Sequence, residues 1–167
     1  DYFWCIDPLD GTLPFIEGKP GYSVSIALVS RVGEPQLGVI YDHVSDKLYH
    51  ASRGTGAFCN GRPWRILSAD HLTLVMDRSL PSDPLYERFL PFVESLSPEK
   101  ELKLINQGGA ALNACWVLEH APALYVKFPK KEPGGGSIWD FAASACLFAE
   151  AGAAVSDIHG QPLKLNQ

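Results

Sequence analysis

Three aspartates have residue types and spacing that could do chemistry. Asp7 and Asp10 lie three residues apart in the hexapeptide DPLDGT at residues 7–12, at the end of an apolar run. Two carboxylates held close together in a poorly solvated place repel each other, and a bound cation removes that repulsion. The alternative is an ordinary Asp-Gly turn in which neither carboxylate does chemistry.

The residues between the two carboxylates favour a cation site. Pro8 restricts one φ angle and Gly11 permits a tight return of the chain, so both carboxylates can point to one place. The Leu9 carbonyl adds an uncharged oxygen, and an all-oxygen ligand set suits Mg²⁺ better than Zn²⁺. Free N–H groups at Gly11 and Thr12 could then meet a phosphate oxygen.

Asp140 is the third candidate, in the segment GGGSIWD at residues 134–140. Ser137 followed three residues later by Asp140 fits the capping box of a helix start, and a helix cap alone could explain this aspartate. The small residues at 142–145 let the predicted helix approach another layer closely. This close approach could bring Asp140 to Asp7 and Asp10.

The elements that must position these residues fall into two groups. Residues 2–6 predict a buried strand that leads into DPLDGT. Four further short strands joined by tight turns predict an antiparallel meander, with an Asn60-Gly61 hairpin turn after the fourth. The four are predicted at residues 22–31, 37–41, 48–52 and 57–59.

After about residue 68 the pattern changes to strands that alternate with helices. This alternation predicts a smaller α/β layer packed beside the meander, and hence an α/β, layered fold. We expect residues 1–68 to form one subdomain and residues 69–167 the other, in one compact unit. Strands are predicted at 72–76, 102–106, 124–128 and 154–158, and helices at 84–96, 110–120 and 138–151.

The composition narrows the possible partners. The chain has 167 residues, a formal net charge of −5, 46% hydrophobic and 20% charged residues, which is typical of a globular protein. The absence of a Lys/Arg block argues against a nucleic acid polymer or an acidic membrane as a partner. No apolar run approaches the roughly 18 residues that a membrane span needs. Four cysteines without a CxxC pair predict reduced, buried thiols and a cytoplasmic protein.

The two aspartate motifs and the segments between them resemble the inositol monophosphatase superfamily. WCIDPLDGT at residues 4–12 looks like the first motif of that family, and WDFAA at 139–143 followed by EAG at 150–152 looks like the second. The resemblance covers essentially the whole chain. It implies a sugar-phosphatase-like layered fold, a Mg²⁺-dependent and Li⁺-sensitive phosphomonoesterase activity, and a homodimer. It also implies a helical N-terminal portion that carries a further metal-binding Glu, which is not among the 167 residues.

The resemblance assigns roles to single residues. Asp7, the Leu9 carbonyl, Asp10 and Asp140 would be the metal ligands. Thr12 would orient the attacking water, so Asp10 and Thr12 are the expected catalytic residues. The Gly11 and Thr12 backbone N–H groups would hold the phosphate.

The substrate is less sharply defined by the resemblance. Gly108, Gly109 and Ala110 resemble a segment that lines the substrate pocket, and Glu132 is near the position of a Glu that contacts sugar hydroxyls in inositol-preferring members. The FIEG segment at residues 15–18 is closer to 3′(2′),5′-bisphosphate nucleotidases. The expected substrate is therefore a bisphosphate nucleotide such as 3′-phosphoadenosine 5′-phosphate, or inositol monophosphate.

Two alternatives stay open at the level of sequence. A haloacid-dehalogenase-type phosphatase uses an Asp nucleophile in DxDGT, whereas DPLDGT has one extra residue between its carboxylates. A diverged or truncated metal-binding interaction module without catalysis is the alternative outside enzymes. An EF-hand Ca²⁺ loop does not fit, because its ligand spacing is absent.

Overall fold

The computed structural model describes residues 1–129 and 136–166, which form two sheets and four α-helices. The first sheet contains β1 (Tyr2–Asp10), β2 (Ser23–Ser30), β3 (Pro35–Asp42), β4 (Lys47–Ser52), β5 (Gly56–Cys59) and β6 (Arg62–Pro63). The second contains β7 (Leu72–Met76), β8 (Leu102–Ile105) and β9 (Ala123–Val126). The helices are α1 (Thr12–Ile16), α2 (Tyr86–Ser95), α3 (Ala110–Glu119) and α4 (Ile138–Ala151).

The first sheet is the predicted antiparallel meander, with its six strands in chain order. Strand β1 pairs with β2 at one edge, and its register shifts between Asp7 and Asp10. Pro8 falls in this irregular stretch, where a missing N–H costs little on an edge strand. The strand therefore continues through the DPLD segment, four residues further than the sequence predicted.

The buried face of β2 is the one with the smaller side chains. In β2 the buried residues are Ser23, Ser25, Ala27 and Val29, and the larger residues between them are only half-buried. Helix α4 lies against the buried face, over the central strands. Small side chains let the helix backbone come close to the sheet, as the sequence predicted for α4 itself.

One face of β1 is exposed, so the prediction of a buried strand at residues 2–6 was wrong. Tyr2, Trp4 and Ile6 are 62%, 59% and 53% exposed, while Cys5 on the other face is buried. A strand at a sheet edge with helices on one side alternates between buried and exposed side chains. The run of apolar residues at 2–6 therefore does not indicate that both faces of the strand are buried.

The second sheet is parallel, with the order β8-β7-β9. All five residues of β7 are buried, because α2 covers one face and α3 the other. The first crossover runs from β7 outward to β8, and the second returns from β8 past β7 to β9 on the other edge, so the direction of winding reverses and the sheet is a small doubly wound one. The predicted α/β architecture of the second part is confirmed, and the parallel strands direct their carboxyl ends to one edge.

One predicted strand is absent. Residues 153–157 have no regular structure. The Asp157 carboxylate accepts the N–H groups of His159 and Gln161, both at 2.8 Å, and the turn that these bonds form takes the place of a strand. The division into subdomains at residue 68 stays a prediction, and helix α4 of the second part packs on the sheet of the first.

All four cysteines are free, as predicted. Cys5, Cys115 and Cys146 are buried, whereas Cys59 is only half-buried, which differs from the prediction that all four are buried. Among the described residues, none of the helices combines the length and apolar character that crossing a membrane requires.

The approach of α4 to the first sheet is tightest at Gly38, where an added Cβ would collide with the Ala143 backbone carbonyl. We expect Gly38→Ala to lower the free energy of unfolding by about 2–3 kcal/mol, because a helix backbone cannot move aside as a side chain can. Chemical denaturation followed by circular dichroism measures this loss.

The control is Gly61→Ala, where a positive φ of 73° is the only strain because nothing lies within 4 Å of the added Cβ. We expect that control to cost about 1 kcal/mol. Equal losses in the two variants would contradict the close packing of α4 on β3.

Candidate active site

The three aspartates singled out by the sequence meet at one point. One carboxylate oxygen from each of Asp7, Asp10 and Asp140 lies within 4.8 Å of the other two. Asp10 is buried, and Asp7 and Asp140 are half-buried. Residues 130 positions apart in the chain thus form one acidic cluster at the junction of the two sheets.

The irregular end of β1 places Asp7 and Asp10 together. Asp7 pairs with Ser25 on β2, and Asp10 pairs with Ser23. Two residues lie between the aspartates on β1, whereas only one residue lies between the two serines on β2. This irregularity turns both carboxylates to the buried face of the sheet. The Asp7 carboxylate also accepts the Leu9 N–H at 3.0 Å, which holds the turn.

Asp10 is held by the N-terminus of helix α3. Its two carboxylate oxygens accept the N–H groups of Ala110 at 3.1 Å and Ala111 at 2.9 Å. These are N–H groups that a helix start leaves without an internal partner, and the helix dipole favours a negative charge there. An added Cβ on Gly109 would collide with the Asp10 carboxylate, so glycine is required at that position.

Asp140 is in the first turn of α4 and is both a helix cap and a member of the cluster. Its Oδ2 accepts the Ser137 N–H at 2.5 Å, which is the interaction predicted for a capping box. The Ser25 hydroxyl donates to the Trp139 carbonyl at 3.3 Å and ties the helix start to β2. The capping interpretation and the metal-site interpretation therefore apply to the same side chain.

Two members of the cluster have a raised pKa. Burial is the largest cause of the rise in the pKa of Asp10 to about 6; the charges of Asp140 and Asp7 contribute to that rise, and the bonds from Ala111 and Ala110 oppose it. Burial also raises the pKa of Asp140, against the Ser137 bond and the Lys127 charge. A divalent cation would offset the repulsion, and carboxylate oxygens are ligands that hard cations prefer. These three residues therefore fit a metal ion.

The other residues expected from DPLDGT lie beside the cluster. The Leu9 carbonyl accepts the Thr12 hydroxyl at 3.2 Å, so the predicted uncharged ligand is in contact with the predicted catalytic threonine. Thr12 is exposed at the start of α1. Gly11 has a φ of 81°, and an added Cβ there would collide with the Gly21 backbone.

The predicted substrate segment adjoins the cluster from the side of α3. Gly109 donates its N–H to the Gly21 carbonyl at 2.8 Å, and Ala110 donates to Asp10. An added Cβ on Gly108 would collide with Trp116. Glu132 lies outside the described residues, as do Lys130 and Lys131.

One charged residue beside the site, Lys127, was missed at the level of sequence. Lys127 follows β9, and its Nζ is 3.3 Å from Oδ2 of Asp77, which follows β7. The signal for Lys127 was its position directly after a parallel strand, because ligands bind at the carboxyl ends of such strands. A cavity of about 380 Å³ lies at the same edge, lined by Pro14, Lys19, Pro20, Arg78, Asn106 and Gln107.

The raised pKa of Asp10 predicts a pH-dependent loss of stability in EDTA. The pKa is about 6 in the folded chain against an ordinary 3.8, so the folded state binds the additional proton between these values. Stability therefore falls as the pH rises from about 4 to 7, and the contribution of Asp10 is about 2–3 kcal/mol. We expect the difference in unfolding free energy between wild type and Asp10→Asn to change by that amount over this range. Urea titrations at several pH values measure it, and a constant difference would contradict the burial of an ionised Asp10.

Known proteins match this chain over almost its whole length. The sequence model of the inositol monophosphatase family matches residues 1–167. Human inositol monophosphatase 2 is 36% identical over 166 residues, which are 97% of this chain and 55% of that protein. The chain thus spans about half the length of the curated relatives it matches.

Solved structures agree with the fold. The suhB protein from Bartonella henselae superposes with a TM-score of 0.74 at 31% identity, over 96% of this chain and 62% of that one. SaIMPase-II from Staphylococcus aureus, solved with inositol monophosphate bound, superposes with a TM-score of 0.76 at 25% identity, over 99% and 62%. The same protein has been solved with 2′AMP bound, at a TM-score of 0.75.

The family match decides against the haloacid-dehalogenase alternative, whose motif has a different spacing between its carboxylates. The acidic cluster, the layered fold and a match over residues 1–167 lead to one assignment. The chain belongs to the inositol monophosphatase family.

Proposed function

We propose that the protein is a Mg²⁺-dependent phosphomonoesterase that hydrolyses a small phosphorylated metabolite. The substrate classes are a 3′(2′),5′-bisphosphate nucleotide, such as 3′-phosphoadenosine 5′-phosphate, and inositol monophosphate. The observation that carries the proposal is the convergence of Asp7, Asp10 and Asp140 within 4.8 Å beside the N-terminus of α3. Burying three neighbouring carboxylates costs free energy without a cation, and a bound cation would offset that cost.

Asp7, Asp10, Asp140 and the Leu9 carbonyl are the proposed ligands of the metal. All four offer oxygen atoms, the ligand type of Mg²⁺. When bound, Mg²⁺ supplies a Lewis acid that lowers the pKa of an attacking water and neutralises charge on the phosphoryl oxygens. The bonds from Ala110 and Ala111 hold the Asp10 carboxylate in one orientation before a metal arrives.

Thr12 is the proposed residue that orients the water. Its hydroxyl donates to the Leu9 carbonyl, so the lone pairs of the hydroxyl oxygen are left to accept a hydrogen bond from a water. The backbone N–H groups of Gly11 and Thr12 are the proposed donors to the phosphate, since the positive φ of Gly11 turns the chain sharply at this point. Gly108, Gly109 and Ala110 are the proposed substrate-pocket segment, with Glu132 as a further candidate.

One relative supports inositol monophosphate and an adenosine nucleotide as ligands, and the bisphosphate rests on the sequence resemblance. SaIMPase-II has been solved with an inositol monophosphate and with an adenosine monophosphate in separate structures. Because the chain spans about half of its curated relatives, the activity of the whole protein is part of the proposal. Lithium inhibition and a homodimer belong to the same proposal and rest on the family resemblance alone, and the proposed cytoplasmic location rests on the free cysteines.

The proposal predicts metal-dependent phosphate release that needs Asp140. We expect release from 3′-phosphoadenosine 5′-phosphate or inositol monophosphate with Mg²⁺, and none with EDTA. Asp140→Asn should abolish release while the melting temperature in EDTA stays unchanged or rises, because the variant loses one of three crowded charges. A phosphate assay and thermal melting measure the two effects.

The control is Asp70→Asn, which removes an exposed aspartate outside the cluster and should leave release unchanged. Addition of Mg²⁺ should raise the melting temperature of the wild type and not that of Asp140→Asn. A folded wild type that gains stability with Mg²⁺ but releases no phosphate would support the metal-binding module without catalysis.

A further inference from the structure

The carboxyl edge of the parallel sheet carries positive charge that the metal site does not use. Asp77 and Arg78 follow β7, Gln107 lies two residues after β8, and Lys127 follows β9. The strand order reverses between β7 and β9, and ligands of open parallel sheets bind outside the carboxyl ends of the strands at such a point. A charged group at this edge is therefore placed to meet a ligand.

Lys127 lies next to the acidic cluster. Its Nζ is 5.4 Å from the ring centroid of Phe141, the residue that follows Asp140. The side chain is 22% exposed, so part of it is accessible to a ligand.

The position of Lys127 is set by Asp77 and the groups around it. Oδ1 of Asp77 accepts the Tyr125 hydroxyl at 2.6 Å and the Asn113 side-chain amide at 3.4 Å, and Oδ2 faces Lys127 Nζ at 3.3 Å. The last distance is longer than the 2.7–2.9 Å that is typical of a charge-assisted hydrogen bond. An ammonium has three donors, and Asp77 engages one of them weakly.

Lys127 has donors left for an anion in addition to Asp77. An ammonium has no lone pair, so Lys127 is not itself a ligand of Mg²⁺. Sugar hydroxyls present no charge to it, whereas a phosphate does. We propose that Lys127 binds a second anionic group of the substrate, so that the site selects a bisphosphate over a monophosphate. This inference rests on the proposed function, since the metal cluster is taken to hold the first phosphate.

The cavity lined by Arg78 and Lys19 at the same sheet edge is the competing location for a second phosphate. Arg78 and Lys19 line it, but both pair with Glu17, Arg78 at 2.9 Å and Lys19 at 3.0 Å. One carboxylate thus compensates part of their charge, and the pair is more exposed to solvent than Lys127. Arg78 serves as the competing candidate in the experiment.

The experiment compares two ligands that differ only in the second phosphate, adenosine 3′,5′-bisphosphate and adenosine 3′-monophosphate. Titration calorimetry with Ca²⁺ in place of Mg²⁺ gives both dissociation constants, and a phosphate assay on the same samples verifies that the ligands stay intact. We expect the wild type to bind the bisphosphate at least tenfold more tightly. Lys127→Met should reduce this preference below threefold, and Lys127→Arg should keep most of it.

Two control variants separate the proposal from its rivals. Lys47→Met removes another ion-paired lysine, bonded to Glu119 at 2.6 Å on the first sheet, and should not change the preference. Arg78→Met should also leave it unchanged. A wild type without the preference, a Lys127→Met variant that keeps it, or a loss in Arg78→Met instead would overturn the proposal.

The outcome is independent of whether the protein is a phosphatase. Phosphate release with Mg²⁺ is measured for both ligands in parallel. Release from both ligands without a preference that depends on Lys127 would leave the proposed function intact and overturn this inference. A preference that depends on Lys127 without any release would support this inference and overturn the proposed function.

Discussion

Mutual repulsion between Asp7, Asp10 and Asp140 is the constraint on which the rest of the structure depends. The fold opposes it by directing the N-terminus of α3 at Asp10 and the backbone N–H of Ser137 at Asp140. These bonds hold the carboxylates in place without neutralising them, because burial still raises the pKa of Asp10 to about 6. The fold therefore positions the carboxylates without any cation, and the excess negative charge of the cluster is what the proposed cation would offset.

Close approach of backbones brings these three residues together. Gly109 lets α3 reach Asp10, Gly11 turns the chain beside Gly21, and Gly38 lets α4 lie on the first sheet. The small side chains of β2 serve the same end, since a bulky residue at Ser23 or Ser25 would push α4 and its Asp140 away. The stability of the packing and the geometry of the site thus depend on the same contacts.

The sequence predicted the cluster because DPLDGT and the Ser137–Asp140 cap are local patterns, and the resemblance joined them. It also predicted the meander and the alternation of strands and helices. It missed the exposure of Tyr2 and Trp4, because hydrophobicity does not say which face of an edge strand is covered. Lys127 was missed as well, because its contact with Asp77 depends on the parallel pairing of β7 with β9, which no local pattern encodes. The strand predicted at 154–158 failed because Asp157 forms a turn instead.

The central claim is that the three carboxylates hold one or more divalent cations. Anomalous diffraction from crystals grown with Mn²⁺ tests it most directly, because the ion is located without reference to activity. The account predicts a strong anomalous peak in contact with the carboxylates of Asp7, Asp10 and Asp140 and with the Leu9 carbonyl. Mn²⁺ bound elsewhere, with the three carboxylates free of metal at saturating concentration, would contradict it.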